Sequence, residues 1–305
     1  MSKFNVTIHL GVIAFLVMYV GSVTAQEYGM GLKIPEEVKE YWQKHTPSFK
    51  YNVQNFQTSV DWSSNDSPVK NQGGCGSCWA FAAVAIVENV GNKNDLAEQV
   101  IVSCAPGSGC GGGWYGYALE YIGTEGIPPE ACYPYTATNG NCSSMCGNPD
   151  YLEKVSQYDK YGRWGAPDGN TVNNLKSLLQ SGPVCASMLV PEGSSFTGYS
   201  GGIYNYSGDA IPEYRGHAIL VVGYNDTQEY FKVKNSWGSW WGEGGYFRIS
   251  YDDVTDDVQF GGYGCVASGA YTEWMTDMEP PTMEAIVEAE GQYYDDAPTF
   301  SNFGF

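Results

Sequence analysis

The sequence predicts an α+β fold of two lobes, helical in its first half and β-rich in its second. Three observations predict it. Residues 78–90, Cys-Trp-Ala-Phe-Ala-Ala-Val-Ala-Ile-Val-Glu-Asn-Val, are alanine-rich and almost uncharged, as a buried helix is. Residues 104–165 are rich in Gly, Cys and Pro, the composition of a loop region stapled by disulfides. From residue 183 onward, short apolar or alternating runs replace that pattern. Helices first and strands afterwards is the order of an α+β design.

The elements follow in chain order. Residues 1–25 read as a signal peptide: Lys3 gives a positive start, Leu10 to Val20 is apolar, and Val23-Thr24-Ala25 offers small residues for cleavage. That run is too short for a membrane span, so no stable membrane association is expected after cleavage; an uncleaved anchor is the alternative. Residues 26–57 form a short leader, in which residues 34–44 are an amphipathic helix with Pro35 in its first turn. The body covers 58–270, with a helical lobe over about 58–165 and a β lobe over about 166–270. Within the β lobe, Ala218-Ile-Leu-Val-Val-Gly-Tyr is a buried strand. Glu229–Lys234 and Gly245–Ser250 alternate as half-buried strands do. Residues 271–305 carry eight acids and no Lys or Arg, and read as a flexible acidic tail.

The chain has 305 residues, 43% of them apolar, enough for a sizeable core. Its net charge of -19 argues against nucleic acid or anionic lipid as a partner. All nine cysteines follow the signal segment. In an exported chain eight of them can pair, which leaves one thiol over.

Cys78 opens the buried helix, where the helix dipole favours a thiolate. The glycines in Gly73-Gly74-Cys75-Gly76-Ser77-Cys78 allow close backbone approach, and successive N–H groups can bind an oxyanion. Of three histidines, His9 lies in the signal segment and His45 in the leader, so His217 is the one base the body offers. Two rival readings exist. Cys75-Gly-Ser-Cys78 has the spacing of a redox pair, but no βαβ context surrounds it. A zinc site lacks a second CxxC pair.

Three segments together resemble a known family. Gln72-Gly-Gly-Cys-Gly-Ser-Cys78-Trp-Ala-Phe, then Gly216-His217-Ala218 before an apolar strand, then Lys234-Asn235-Ser236-Trp237-Gly238 with Trp241-Gly242, resemble the papain-like cysteine peptidases. The histidine lies 139 residues after the cysteine and the asparagine 18 further on. Val60-Asp61-Trp62, Cys110-Gly-Gly-Gly113 and Tyr133-Pro-Tyr135 are weaker matches, and the resemblance covers about residues 57–270.

The resemblance implies a papain-like fold, with a helical left lobe, a β-barrel-like right lobe and the active-site cleft between them. It implies a Cys78 thiolate paired with a His217 imidazolium and an acyl-enzyme intermediate. Asn235 would orient His217, and Gln72 would form the oxyanion hole with the Cys78 backbone N–H. Trp237 would shield the Asn235–His217 pair, and Trp241 would line the leaving-group side. Gly112 and Gly113 would pair with substrate backbone. Pocket loops are expected around Met188 and after Cys265. No cofactor or metal is implied, and the partners are protein or peptide substrates of a monomeric enzyme. Its compartment would be the secretory pathway, either extracellular or lysosomal/vacuolar.

The resemblance also suggests Cys75–Cys110, and Cys104 with Cys142. Cys132–Cys146 and Cys185–Cys265 are then the leftover pairs; sequence alone leaves roughly 100 connectivities. The leader, about 32 residues, offers no room for the long inhibitory prosegment of many family members. Latency would rest on a short segment or on the tail, or be absent. Without a recognisable blocking loop the expected activity is endopeptidase. Exopeptidase is the alternative, and an inactive binding homologue would be expected to have lost one of the four site residues. Asn141, Asn205 and Asn225 lie in glycosylation sequons.

Overall fold

The computed structural model describes residues 28–47, 56–107, 109–206, 208 and 213–275. The signal segment and most of the acidic tail lie outside these residues. Five α-helices are present among them: α1 (Glu36–Lys44), α2 (Cys78–Val90), α3 (Glu98–Cys104), α4 (Tyr115–Thr124) and α5 (Thr171–Leu179). The strands are β1 (Ser59–Asp61), β2 (Tyr151–Tyr158), β3 (Val184–Pro191), β4 (Ile203–Tyr204), β5 (Tyr214–Asn225), β6 (Tyr230–Lys234), β7 (Tyr246–Ser250), β8 (Gly262–Cys265) and β9 (Ala267–Trp274).

Helix α2 forms where the alanine-rich run predicts it, and eleven of its thirteen residues are buried. A helix with no polar face must be covered all round. Helices α3 and α4 and strand β5 supply that cover. The main sheet runs β4-β7-β6-β5-β3-β8, with β1 pairing on β5. Strands β5, β6 and β7 form an antiparallel meander.

Strand β5 is the wall between the lobes, and its two faces show it. Ala218, Leu220 and Val222 join the core around α2. Ile219 and Val221 join the core of the β lobe, and so does Tyr224, beyond the β-bulge between Val221 and Gly223. Side chains alternate across a strand, so one apolar run serves two cores. His217 lies on this wall, and Cys78 opens the helix packed against it.

Three expectations need correction. The stapled loop region holds helix α4 and strand β2. The lobes do not divide at a single cut: β1 pairs with β5 in the β lobe, while β9 pairs with β2 and packs on α2. The boundary drawn at residue 271 falls inside β9, whose pairing to Trp274 opposite Tyr151 carries the ordered chain past it. The leader helix is α1, entered at Pro35; Val38 is buried, and Trp42 Nε1 donates to Tyr161 O.

Candidate active site

Cys78 is the first residue of α2 and is fully buried. Its sulfur accepts from the Gly31 N–H at 3.3 Å and lies within reach of the Ala218 backbone N–H, next to His217. Burial pushes the thiol up from its ordinary value, against the pull of these N–H groups.

His217 Nε2 lies 2.9 Å from Asn235 Oδ1. The same oxygen accepts from the Ser236 N–H at 2.8 Å, which identifies it as the carbonyl oxygen of the amide. Nε2 must therefore donate, which leaves the lone pair on Nδ1. Nδ1 is buried and has no hydrogen-bond partner among the described residues. Burial holds the imidazole down to about 4, partly offset by Asn235. The Trp237 ring covers the pair, 4.9 Å from the His217 ring centroid.

Gln72 is fully buried rather than a surface loop residue. Its backbone N–H donates to Ser236 O, and Ser236 Oγ donates to its Oε1. Its amide Nε2 donates to Cys75 O and to Gly29 O, each at 2.8 Å. Tyr135 Oη donates to Gln72 O at 2.9 Å.

The leader packs on the body. Residues 28–33 run through the cleft. Tyr28 stacks on Trp237 with centroids 4.4 Å apart, and on Trp240 at 6.0 Å. Gly31 O accepts from the Gly113 N–H, and the Lys33 N–H donates to Gly113 O, so Leu32 pairs with Gly113 in parallel. The Leu32 N–H donates to Gly216 O. The segment passes so close that only glycine fits. A Cβ on Gly29 would lie 1.9 Å from Cys75 O, and one on Gly31 2.0 Å from Gly76 O.

Gly113 pairs here with the backbone of the leader, and Gly112 beside it has φ +110°. Trp241 does not line the leaving-group side. It packs edge-on behind Trp237, against Phe196 and Phe247, and is buried. The exposed ring on that side is Trp240, whose signal was its place in a glycine-flanked turn after Trp237. A cavity of about 350 Å³ lies under Leu32, lined in part by Ser187, Met188, Gly216, Gln259 and Tyr263. A loop around Met188 was expected there, but Met188 lies within strand β3, opposite His217; the second contributor is residues 259–263, before rather than after Cys265.

The disulfides are Cys75–Cys110, Cys104–Cys142 and Cys132–Cys146. The fourth expected pair is corrected. Cys185 and Cys265 are free thiols, as is Cys78. They face each other in register across β3 and β8, but Cys185 Sγ donates to Ala82 O in α2. Burial raises both thiols, which keeps them protonated and inert. No group of His, Cys, Asp or Glu among the described residues is arranged to hold a metal ion.

Buried charge fastens the two lobes behind the site. Lys234, adjacent to Asn235, donates to Ser67 O and Ser67 Oγ. Ser67 Oγ donates to Glu88 in α2, and Glu88 also pairs with Lys70. The Gly238 N–H donates to Lys70 O, so the segments carrying Asn235 and Gln72 are tied side by side.

Comparison with known proteins identifies the family. Residues 56–261 match the model of the papain family of cysteine proteases. The chain is 38% identical over 203 residues to gamete and mating-type specific protein A of Dictyostelium discoideum, matching 63% of this chain and 42% of that one. It is 32% identical to ananain of Ananas comosus, over 73% of this chain and 63% of that protein. Zingipain-2 of Zingiber officinale is 39% identical over 67% of this chain and 91% of its own length. Among solved structures, the digestive procathepsin L2 of Tenebrio molitor larval midgut superposes with a TM-score of 0.59 and 30% identity, covering 79% of this chain and 78% of that one. A recombinant stem bromelain precursor gives 0.60 and 27%, covering 73% and 75%. By its sequence motifs, its fold and these matches, the chain belongs to the papain family of cysteine proteases.

Proposed function

We propose that this chain is a cysteine endopeptidase held latent by its own leader. Cys78 attacks the scissile carbonyl as a thiolate, and His217 carries the proton from it. The His217 imidazolium then protonates the leaving amine, and water resolves the thioester with His217 as base. Asn235 fixes the tautomer by accepting from Nε2, which leaves the Nδ1 lone pair to take the thiol proton once the leader withdraws. Gln72 Nε2 and the Cys78 backbone N–H receive the developing oxyanion.

One observation carries the endopeptidase reading. A polypeptide already passes along the cleft, with residues on both sides of Cys78, from Tyr28 at Trp237 to Leu32 at Gly113 and Gly216. A cleft open at both ends accepts a chain interior, whereas an exopeptidase must block one end.

The same geometry supports latency. The sulfur faces an N–H, not a carbonyl carbon, and the Gln72 amide is occupied by Gly29 O. With the cleft filled, burial favours neutral thiol and neutral imidazole over the ion pair. The signal segment supports export, and no described helix is long and apolar enough to cross a membrane.

The test is hydrolysis of an end-blocked fluorogenic peptide library by the leader-released chain, beside a Cys78→Ala variant. Cleavage by the first and not the second is expected. Cleavage confined to peptides with a free end would overturn the endopeptidase assignment. No cleavage of either kind, with Cys78 free, would leave only binding.

A further inference from the structure

Two tryptophans after Asn235 sit in contrasting surroundings. Trp237 is fully buried, its ring beside His217 and backed by Trp241 at 4.9 Å and Phe196 at 5.5 Å. Trp240 is 57% exposed. An indole left in water forgoes the burial that makes large aromatics stabilising, so core packing does not account for it.

Its position is nevertheless fixed. The Gly238 N–H donates to Lys70 O, the Trp241 N–H to Gly238 O, and the Gly245 N–H to Trp241 O, so the turn is held on both sides of Trp240. Gly238 has φ +84°, and a Cβ there would lie 2.5 Å from Trp240 Nε1. The indole rests against backbone that only glycine leaves free.

What meets the exposed ring is Tyr28 of the leader. Its ring lies 4.4 Å from Trp237 with 24° between the planes, and 6.0 Å from Trp240 with 23°. Both are stacked pairs. The structure thus shows a flat ring on a polypeptide held by two indoles. These rings lie across Cys78 from Gly113 and Gly216, which hold Leu32. With the acyl part of a substrate on Gly113, the rings meet the residues that leave with the amine.

We propose that Trp240 is a specificity-determining residue, which together with Trp237 selects an aromatic side chain on the leaving-group side of the scissile bond. The inference rests on the endopeptidase reading and adds a substrate class to it. In the latent chain Tyr28 takes the place of that side chain. Alanine there covers neither indole, and a saturated ring lacks the flat π face that stacking needs.

The test is kcat/KM of the leader-released enzyme on end-blocked, internally quenched peptides that differ only at the first or second residue after the scissile bond. Tyrosine or phenylalanine at one of these positions should exceed alanine by more than about tenfold, and cyclohexylalanine should fall several-fold below phenylalanine. Trp240→Ala should cut the aromatic-to-alanine ratio by more than about threefold, and Trp240→Phe should restore most of it. A wild-type ratio near unity, equal cleavage of the cyclohexylalanine peptide, or a ratio unchanged in Trp240→Ala would overturn the assignment. Cleavage without aromatic preference sinks this inference alone, whereas no cleavage of any peptide sinks the endopeptidase reading. Iodoacetamide labelling of Cys78 in the full chain reads the same rings without turnover. Tyr28→Ala and Trp240→Ala should each speed it several-fold, and the double variant should be no faster than Tyr28→Ala. Effects that multiply would show that Tyr28 and Trp240 do not act together, and would overturn the site.

Discussion

The N–H of Gly31 points at the sulfur of Cys78 across 3.3 Å, so the leader presents a donor where a substrate presents an electrophilic carbon. The contact exists because residue 31 has no side chain. A Cβ there would lie 2.0 Å from Gly76 O, a backbone atom fixed next to the Cys75–Cys110 bridge. Gly31→Val should therefore expel the leader without touching the site. The expected result is iodoacetamide labelling of Cys78 faster by more than about tenfold, with peptide hydrolysis appearing before any leader is cut. Labelling at the wild-type rate would show that the leader does not control access.

Acid should release the leader. With the cleft filled, His217 is held down to about 4, against an ordinary value of about 6.5. The folded-state value is depressed, so the neutral, leader-bound state is fully favoured above about 6.5 and loses ground as pH falls toward 4. At about pH 5 the loss amounts to roughly 2 kcal/mol, or about 30-fold in the docking equilibrium. First-order activation rates measured between about pH 7 and pH 5 should rise steeply. A flat profile would sink the idea.

Gln72 is the donor to remove. Its amide is held by Ser236 Oγ on one side and aimed at the cleft on the other. Gln72→Ala should lower kcat by about 10²–10³ while KM stays within a few-fold, because the donor acts on charge that develops only in the transition state. A change confined to KM would assign Gln72 to substrate binding instead.

The sequence made the site legible where chemistry restricts residue choice. A single body histidine, a thiol at a helix start and an asparagine in a tryptophan-flanked segment left few combinations; the structure joins His217 to Asn235 and Gln72 to Ser236, and packs the helix that Cys78 opens against the strand of His217. The path of the leader through the cleft was not legible because Gly29 and Gly31 set it by close backbone approach, while Tyr28 and Leu32 meet residues far along the chain, Trp237 and Gly113, that the local sequence does not name. Trp240 and Trp241 are adjacent and chemically alike, so only the turn decides which is exposed. Cys185 and Cys265 were paired by elimination, a rule that ignores where a thiol points. The lobes interleave because β9 returns to β2, a contact between residues over a hundred positions apart.

The thiols give a direct count. Cys78, Cys185 and Cys265 are free, so alkylation after denaturation without reductant should add three labels. In the native chain with the leader displaced, only Cys78 should react at neutral pH, because burial holds the other two protonated. A single label after denaturation would show Cys185 joined to Cys265 in the isolated protein.

The buried charges behind the site should dominate stability more than those on the surface. Lys234 is 5% exposed, and its ammonium is the donor to Ser67 with Asp66 and Glu88 nearby. Lys234→Met removes the cation nearest Asp66 and leaves Glu88 with Lys70 alone, at a cost of about 3–5 kcal/mol. Lys39, paired with Glu36 on the exposed side of α1, should lose only about 0–1 kcal/mol in the same substitution. Urea unfolding of both variants separates the cases. Because Lys234 adjoins Asn235, the first variant should also loosen the Asn235–His217 bond and lower kcat at temperatures where it remains folded. Equal losses in the two variants would mean that the charge network does not fasten the lobes.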